Sequence, residues 1–122
     1  MPFTLQTLDH SYYWKVEKLS YHLFVTASSP SNSNDPDDYK FSIVNGALFS
    51  IGCSAYVGPD SSALLKASNQ NETPMSTNRD GNNNSIAIQF AVDDTMLYVL
   101  AQPSGWLQVC STSPQFFLQK NI

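Results

Sequence analysis

The first sixteen residues carry apolar side chains at helical spacing. Leu5, Leu8, Tyr12 and Val16 follow one another at intervals of three or four residues, which places them on one face of a helix. Pro2 suits the first turn of such a helix. The pattern therefore predicts an amphipathic helix over residues 1–16, whose apolar face covers either its own domain or a neighbouring one.

From Glu17 onward the period of the pattern changes to two. Leu19, Tyr21, Leu23 and Val25 alternate with other side chains, which predicts a half-buried strand. Further strands are predicted over residues 39–44, 48–57, 62–67 (an edge strand), 86–92, 96–101, 106–110 and 115–119. Turn signals separate them, above all at Asn45-Gly46, Asp93-Asp94 and Pro103-Ser104-Gly105. The polar stretches 31–38 and 68–85 are predicted to be surface loops.

Short strands at regular spacing indicate an all-β domain. We expect an immunoglobulin-like or fibronectin type III β-sandwich over residues 17–122, preceded by the helix at 1–16, with no internal repeat. A length of 122 residues suits a single domain, and a 42% apolar fraction is enough for one core.

The low charge of the chain limits its partners. Only 13% of residues are charged and the net charge is −4, so neither nucleic acid nor an anionic membrane surface is an expected partner. No apolar run is long enough to span a membrane, and insertion is not expected. Because residues 1–14 lack a basic start and an apolar stretch, the expected location is extracellular without a recognisable signal peptide, or cytoplasmic.

No constellation of residues points to catalysis, a metal or a cofactor. His10 and His22 stand in no nucleophile or metal motif, and the acidic pairs near Asp37 and Asp93 fall in turns. The oxygen-rich stretch from Ser76 to Asn84 resembles a calcium loop only faintly, because it lacks the closing Glu. Cys53 and Cys110 can form one disulfide or remain free; free buried thiols are slightly favoured. We therefore predict a binding protein and no enzyme.

Carbohydrate is the most natural ligand for such a surface. An exposed aromatic ring with amide, carboxylate and hydroxyl groups nearby can bind a sugar, and Trp106 follows a turn in an Asn-rich chain. The alternative is that Trp106 plugs one end of the core, and the sequence favours neither. The candidate contacts are Trp106, Asp37, Asp38 and Ile88.

Three segments resemble the fungal immunomodulatory proteins. They are Tyr13–Tyr21 (YWKVEKLSY), Ile88–Asp93 (IQFAVD) and Tyr98–Gln102 (YVLAQ), and their order and spacing agree with that family over residues 8–102. The chain departs from the family in the loop 27–34, which has no aromatic residue, and at Pro103, where the family has Trp.

The resemblance implies a specific activity. Proteins of that family are lectin-like dimers that bind cell-surface carbohydrate, agglutinate red cells and stimulate immune cells, and their N-terminal helix pairs with a second subunit. On this basis we expect a homodimer that binds cell-surface glycans or glycoproteins, with Phe3, Leu5, Leu8, Tyr12 and Tyr13 at the dimer interface. A purely structural assembly domain without sugar binding is the alternative.

Overall fold

The computed structural model describes residues 1–29, 35–80 and 84–122. These residues form twelve β-strands and one 3₁₀ turn, Pro36–Tyr39, and they contain no α-helix. The strands are β1 Phe3–Thr7, β2 Tyr13–Leu19, β3 His22–Ser28, β4 Phe41–Val44, β5 Ala47–Ser50, β6 Ala55–Pro59, β7 Leu65–Ser68, β8 Met75–Arg79, β9 Ser85–Val92, β10 Thr95–Ala101, β11 Leu107–Cys110 and β12 Phe116–Asn121. The all-β class predicted from the pattern is confirmed.

The strands close on themselves instead of forming an open sheet. Hydrogen-bonded ladders close a ring of seven strands, β1-β2-β3-β7-β6-β5-β4, and the other five strands extend it. A single bridge between Ala47 and Pro74 closes a second ring of six, β1-β4-β5-β8-β9-β12. Closure removes the open sheet edges at which strands pair with other chains. The predicted sandwich is therefore not confirmed.

Three hairpins cap the six-stranded ring, namely β2–β3, β6–β7 and β10–β11. Their second strands meet around one axis through the pairs Phe24–Lys66, Leu64–Gln108 and Trp106–Thr26. Each of these three second strands thus pairs with the next one at the same point along its length. Phe24, Leu64 and Trp106 are therefore equivalent positions. The chain thus forms three four-stranded units, β1–β4, β5–β8 and β9–β12. Three such units arranged as a barrel with a hairpin cap have the connectivity of a β-trefoil. The repeat is structural, and the sequence pattern did not reveal it.

The core follows the same threefold arrangement. Val25, Leu65 and Leu107 come directly after the three equivalent positions, and all are fully buried. Leu5, Leu48 and Ile88 occupy matching places in the first strand of each unit and are also buried. Burial of one such side chain contributes about 1.5–3 kcal/mol. The core therefore needs an apolar residue from every unit at each level of the barrel.

The predicted N-terminal helix is wrong. Residues 1–16 form β1 and the start of β2, and β1 pairs along its whole length with β12, the last strand of the chain. Phe3, Leu5 and Thr7 alternate inward, which is strand spacing. The segment 1–16, expected as a helix preceding the β-strands of one domain, therefore contributes residues 3–7 to the barrel as a strand.

Several other predicted elements change at their boundaries. The strand expected through Leu19–Val25 is a hairpin, because Ser20 and Tyr21 both adopt positive φ and reverse the chain. Residues 51–54 divide the strand expected over 48–57. The predicted edge strand at 62–67 corresponds to β7, which is not at an edge because it pairs with both β6 and β3. The polar stretch 68–85 contains β8.

The strongest turn signals are confirmed. Asn45-Gly46 and Asp93-Asp94 both have positive φ and join paired strands, as two-residue hairpin turns require. The turn at 103–105 joins β10 to β11. No helix in the described ranges is both long and apolar enough to cross a membrane.

Candidate functional site

A surface groove lies between the first and the third four-stranded units. Its volume is about 690 Å³. One wall is the β1–β2 connection, with Leu8, Asp9 and Tyr12, and the other is the β10–β11 turn with the start of β12. The full lining is Thr7, Leu8, Asp9, Tyr12, Glu17, Ala27, Ser28, Ser29, Ala101, Gln102, Pro103, Ser104, Gly105, Gln115 and Phe116.

One main-chain hydrogen bond joins the two units beside the groove, and a second orders the β10–β11 turn. The Ala27 amide donates to the Gly105 carbonyl at 2.8 Å, and the Gly105 amide donates to the Gln102 carbonyl at 2.9 Å. Gly105 has φ +99°, and an added Cβ would stand 3.2 Å from the Ala27 carbonyl oxygen. The close approach of the two units at this point therefore requires glycine.

A series of side-chain hydrogen bonds fixes Glu17 in the groove. The Thr26 hydroxyl donates to Oε2 of Glu17 at 3.1 Å and lies 2.9 Å from the Ser28 hydroxyl. Glu17 and Thr26 belong to the paired strands β2 and β3, so the sheet itself sets their separation. The second carboxylate oxygen of Glu17 accepts no hydrogen bond from any residue that the structure describes.

Asp9 is held by the turn that it starts. Its Oδ1 accepts a hydrogen bond from the Thr7 hydroxyl at 2.7 Å and another from the Ser11 amide at 3.0 Å. These hydrogen bonds, chiefly the one from Thr7, lower the pKa of the Asp9 carboxyl below its ordinary value. Asp9 therefore places a negative charge at the rim of the groove in neutral solution.

Gln115 closes the far wall. Its Oε1 accepts a hydrogen bond from the Ala101 amide at 2.8 Å, which ties the start of β12 to the end of β10. Within the described ranges its amide nitrogen makes no hydrogen bond. That nitrogen can supply two N–H donors on the wall opposite the Asp9 loop.

Trp106 stands at the end of the groove. A smaller hollow of about 180 Å³ contains Trp106 with Leu19 and Thr26, and it shares Glu17, Ala27, Ser28, Ser104 and Gly105 with the main groove. The indole packs edge-to-face on Phe24, with ring centroids 5.2 Å apart. It is half-buried, so its ring is supported by the cap and still reaches the surface. Trp106 is therefore neither a fully exposed platform for a sugar nor a fully buried plug of the core.

The other predicted sugar contacts lie elsewhere. Ile88 is 1% exposed and belongs to the core, so its side chain cannot contact a ligand at the surface. Asp37 and Asp38 are in the 3₁₀ turn, where Asp37 forms an ion pair with Lys40 at 2.9 Å, and neither lines the groove. Of the four candidates, only Trp106 is at this site.

The residues predicted for the dimer interface separate into two groups. Phe3 and Leu5 are buried in the barrel of their own chain and cannot contact a second subunit. Leu8 and Tyr12 are 49% and 47% exposed and line the groove. Tyr13 packs edge-to-face on Tyr39, with centroids 5.8 Å apart. Of the five predicted interface residues, Leu8 and Tyr12 are therefore the ones exposed to a partner or a ligand.

Sequence reasoning missed Asp9, Glu17 and Gln115. The signal for Asp9 was Thr7-x-Asp9-x-Ser11, a spacing that allows a carboxylate to accept from neighbouring hydroxyl and amide groups. Glu17 and Gln115 carried no local signal, because long-range strand pairing alone brings them to one groove.

The described residues contain no group of three or more His, Cys, Asp or Glu placed to hold a metal ion. Gly81 and Asn82 of the faint calcium-like stretch lie outside those residues. Cys53 and Cys110 are both free, as favoured, although each is half-buried and not fully buried. The sequence matches no protein-family model, and a search of curated proteins found no match.

Proposed function

We propose that this protein binds carbohydrate in the groove between its first and third units. The observation that carries the proposal is the adjacency of an aromatic ring, Trp106, to a groove in which carboxylate and amide groups keep unused hydrogen-bonding capacity. A sugar presents one apolar face and several hydroxyl groups. Trp106 and Tyr12 suit the apolar face, while Glu17 and Gln115 suit the hydroxyl groups.

The shape of the groove supports this ligand class. It is open and of the size of a small-molecule site, and its polar groups come from rigid strands and hydrogen-bonded turns. A pre-ordered site loses little conformational entropy when it binds. The expected stimulation of immune cells remains a prediction that follows from the family resemblance.

A glycan array followed by calorimetry on the best ligand tests the proposal. Trp106→Ala should weaken binding by at least about tenfold, equivalent to about 1.4 kcal/mol. Because Trp106 also packs on Phe24, Tyr12→Ala serves as a second variant that removes an exposed ring. Tyr21→Ala is the matched control, since Tyr21 is 95% exposed and does not line the groove. A blank array, or equal binding by all variants, would refute the proposal.

A second candidate function is self-assembly through the same surface. Leu8 and Tyr12 are large apolar side chains that remain about half exposed on one turn. If they pair with a second copy, light scattering should show a dimer that Leu8→Ser converts to a monomer. A wild-type monomer that still binds glycans would exclude assembly as the role of these residues.

A further inference from the structure

The charge of the groove is of one sign. Among the residues that the structure describes, Asp9 and Glu17 are the only charged side chains that line the groove and the adjoining hollow. Ser29, at one end of the lining, is followed by residues 30–34 (PSNSN), which carry no charge. A ligand therefore meets negative charge and neutral polar groups in this groove, and no basic side chain.

Neither carboxylate meets a basic side chain among the described residues that line the groove. Lys40 forms its ion pair with Asp37, which lies outside the groove. The partners of Glu17 and Asp9 are hydroxyl and amide groups, which stabilise a carboxylate without cancelling its charge. Both groups consequently attract a cation and repel an anion, and the concave wall strengthens that field.

We propose that the saccharide bound here carries a protonated amine, as in an oligomer of glucosamine. This inference rests on the proposed function and specifies the class of its ligand. The sugar ring stacks on Trp106, and the ammonium group is bound by Glu17 with the support of the Asp9 charge. Sialylated, sulfated and uronic-acid glycans should bind more weakly, because their anionic groups would face these carboxylates.

The decisive comparison uses two ligands of one length and linkage, an oligomer of glucosamine and its fully N-acetylated counterpart. Acetylation removes the positive charge and keeps the sugar ring. The comparison is made at about pH 5.5, where the free amine of the sugar is protonated. The glucosamine oligomer should bind at least about tenfold more tightly, and the difference should shrink at about 0.5 M salt because salt screens the attraction.

Two variants assign the preference to the groove. Glu17→Gln keeps the side-chain shape and should reduce the preference for the amine at least about fivefold, a difference of about 1 kcal/mol. Asp9→Asn removes the second carboxylate of the groove. Because Asp9 is exposed, this change does not disturb the sheet. Glu72→Gln removes an exposed carboxylate outside the groove and should leave the preference unchanged.

The outcomes separate the two proposals. Equal binding of both oligomers would overturn the amine assignment while leaving carbohydrate binding in place. No binding of either oligomer, together with a blank array, would overturn both. Spermine and unbound glucosamine oligomer are compared as competitors for the wild-type groove. If spermine displaces the bound oligomer just as effectively, charge alone drives binding and the amino-sugar assignment fails.

Discussion

The β1–β2 and β5–β6 connections occupy matching places in two units, yet only the first borders a groove. Asp9 and Gly52 each stand two residues beyond the end of the preceding strand. In both connections a hydroxyl group at that strand end accepts a main-chain hydrogen bond, from the Tyr12 amide to Thr7 and from the Cys53 amide to Ser50. The two loops thus start in the same way and differ in what covers them.

The 3₁₀ turn Pro36–Tyr39 covers the β5–β6 connection. A Cβ added to Gly52 would stand 2.8 Å from Oδ1 of Asp38 and 2.9 Å from the Asp37 carbonyl oxygen. Before β12, the corresponding chain at 111–114 is exposed, and the groove beside the β1–β2 connection stays open. The difference shows that the groove arises where one unit departs from the threefold pattern. Asp37 and Asp38, which were expected to bind sugar, instead cover the β5–β6 connection.

The largest effect is expected from Gly52→Ala. The new Cβ would overlap main-chain atoms of the 3₁₀ turn, so the free energy of unfolding should fall by about 1–3 kcal/mol in chemical denaturation. Asp9→Ala is the matched change in the open connection. It removes two hydrogen bonds at an exposed position, so the free energy of unfolding should fall by less than in Gly52→Ala.

The two variants should also differ in ligand binding. Gly52→Ala should keep the affinity of the groove, whereas Asp9→Ala should weaken it, because only Asp9 lines the site. Equal stability costs, or lost affinity in Gly52→Ala, would contradict the proposed contrast between a covered and an open connection.

A second contrast concerns two equivalent turns in the cap. Gly105 borders the groove and Ala63 ends the β6–β7 turn; each amide donates to the residue three positions earlier, Gln102 or Asp60. Both have positive φ, +99° and 65°, but only one is glycine. Gly105→Ala should destabilise the protein by about 1–2 kcal/mol, and Ala63→Gly should stabilise it by about 0.5–1 kcal/mol. Thermal unfolding of both variants measures these opposite signs, and a shared sign would show that backbone strain does not govern the turns.

These contrasts show why the pattern of the sequence predicts some elements and misses others. The alternation over Ile86–Val92 and the Asn45-Gly46 turn are local features, and both were predicted correctly. Residues 3–7 alternate as well, but Leu5, Leu8 and Tyr12 also fit a helix. The partner that decides between the two is β12, more than a hundred residues away. A helical pattern of this length is therefore not decisive where a distant strand can pair with it.

The candidate site was predictable in the same partial way. Trp106 was identified because an aromatic residue after a turn is visible locally, whereas Glu17 and Gln115 meet only through the pairing of distant strands. Ile88 was misassigned because alternation predicts a strand without showing which of its faces is buried. The threefold repeat escaped notice because equivalent residues, such as Phe24, Leu64 and Trp106, share only apolar character.

A smaller effect is expected at the β2–β3 hairpin, in which seven residues of each strand are paired, against four in the β10–β11 hairpin. Its tip, Ser20-Tyr21, has φ values of 48° and 69°, where glycine and asparagine are favoured. Replacing Ser20-Tyr21 by Asn-Gly should stabilise the protein by about 0.5–1 kcal/mol, since Tyr21 contributes almost no burial. The reverse change at Asn45-Gly46 is the control and should destabilise it. Calorimetry checks both, and a loss of stability in the first variant would contradict the prediction.

The smallest effect concerns pH and the Asp9 carboxyl group of the open connection. The hydrogen bond from Thr7 lowers the pKa of the Asp9 carboxyl in the folded state below its unfolded value of 3.8. A group with a lowered folded pKa adds stability above its unfolded pKa, and that stability is lost as the pH falls through the folded pKa. Urea unfolding between about pH 2 and 6 should therefore show a decline in acid that is shallower in Asp9→Asn than in the wild type. Glu72→Gln removes an exposed carboxylate outside the groove and controls for the general loss of a charge. A decline in Asp9→Asn as steep as in the wild type would show that the Thr7–Asp9 hydrogen bond does not hold the loop in solution.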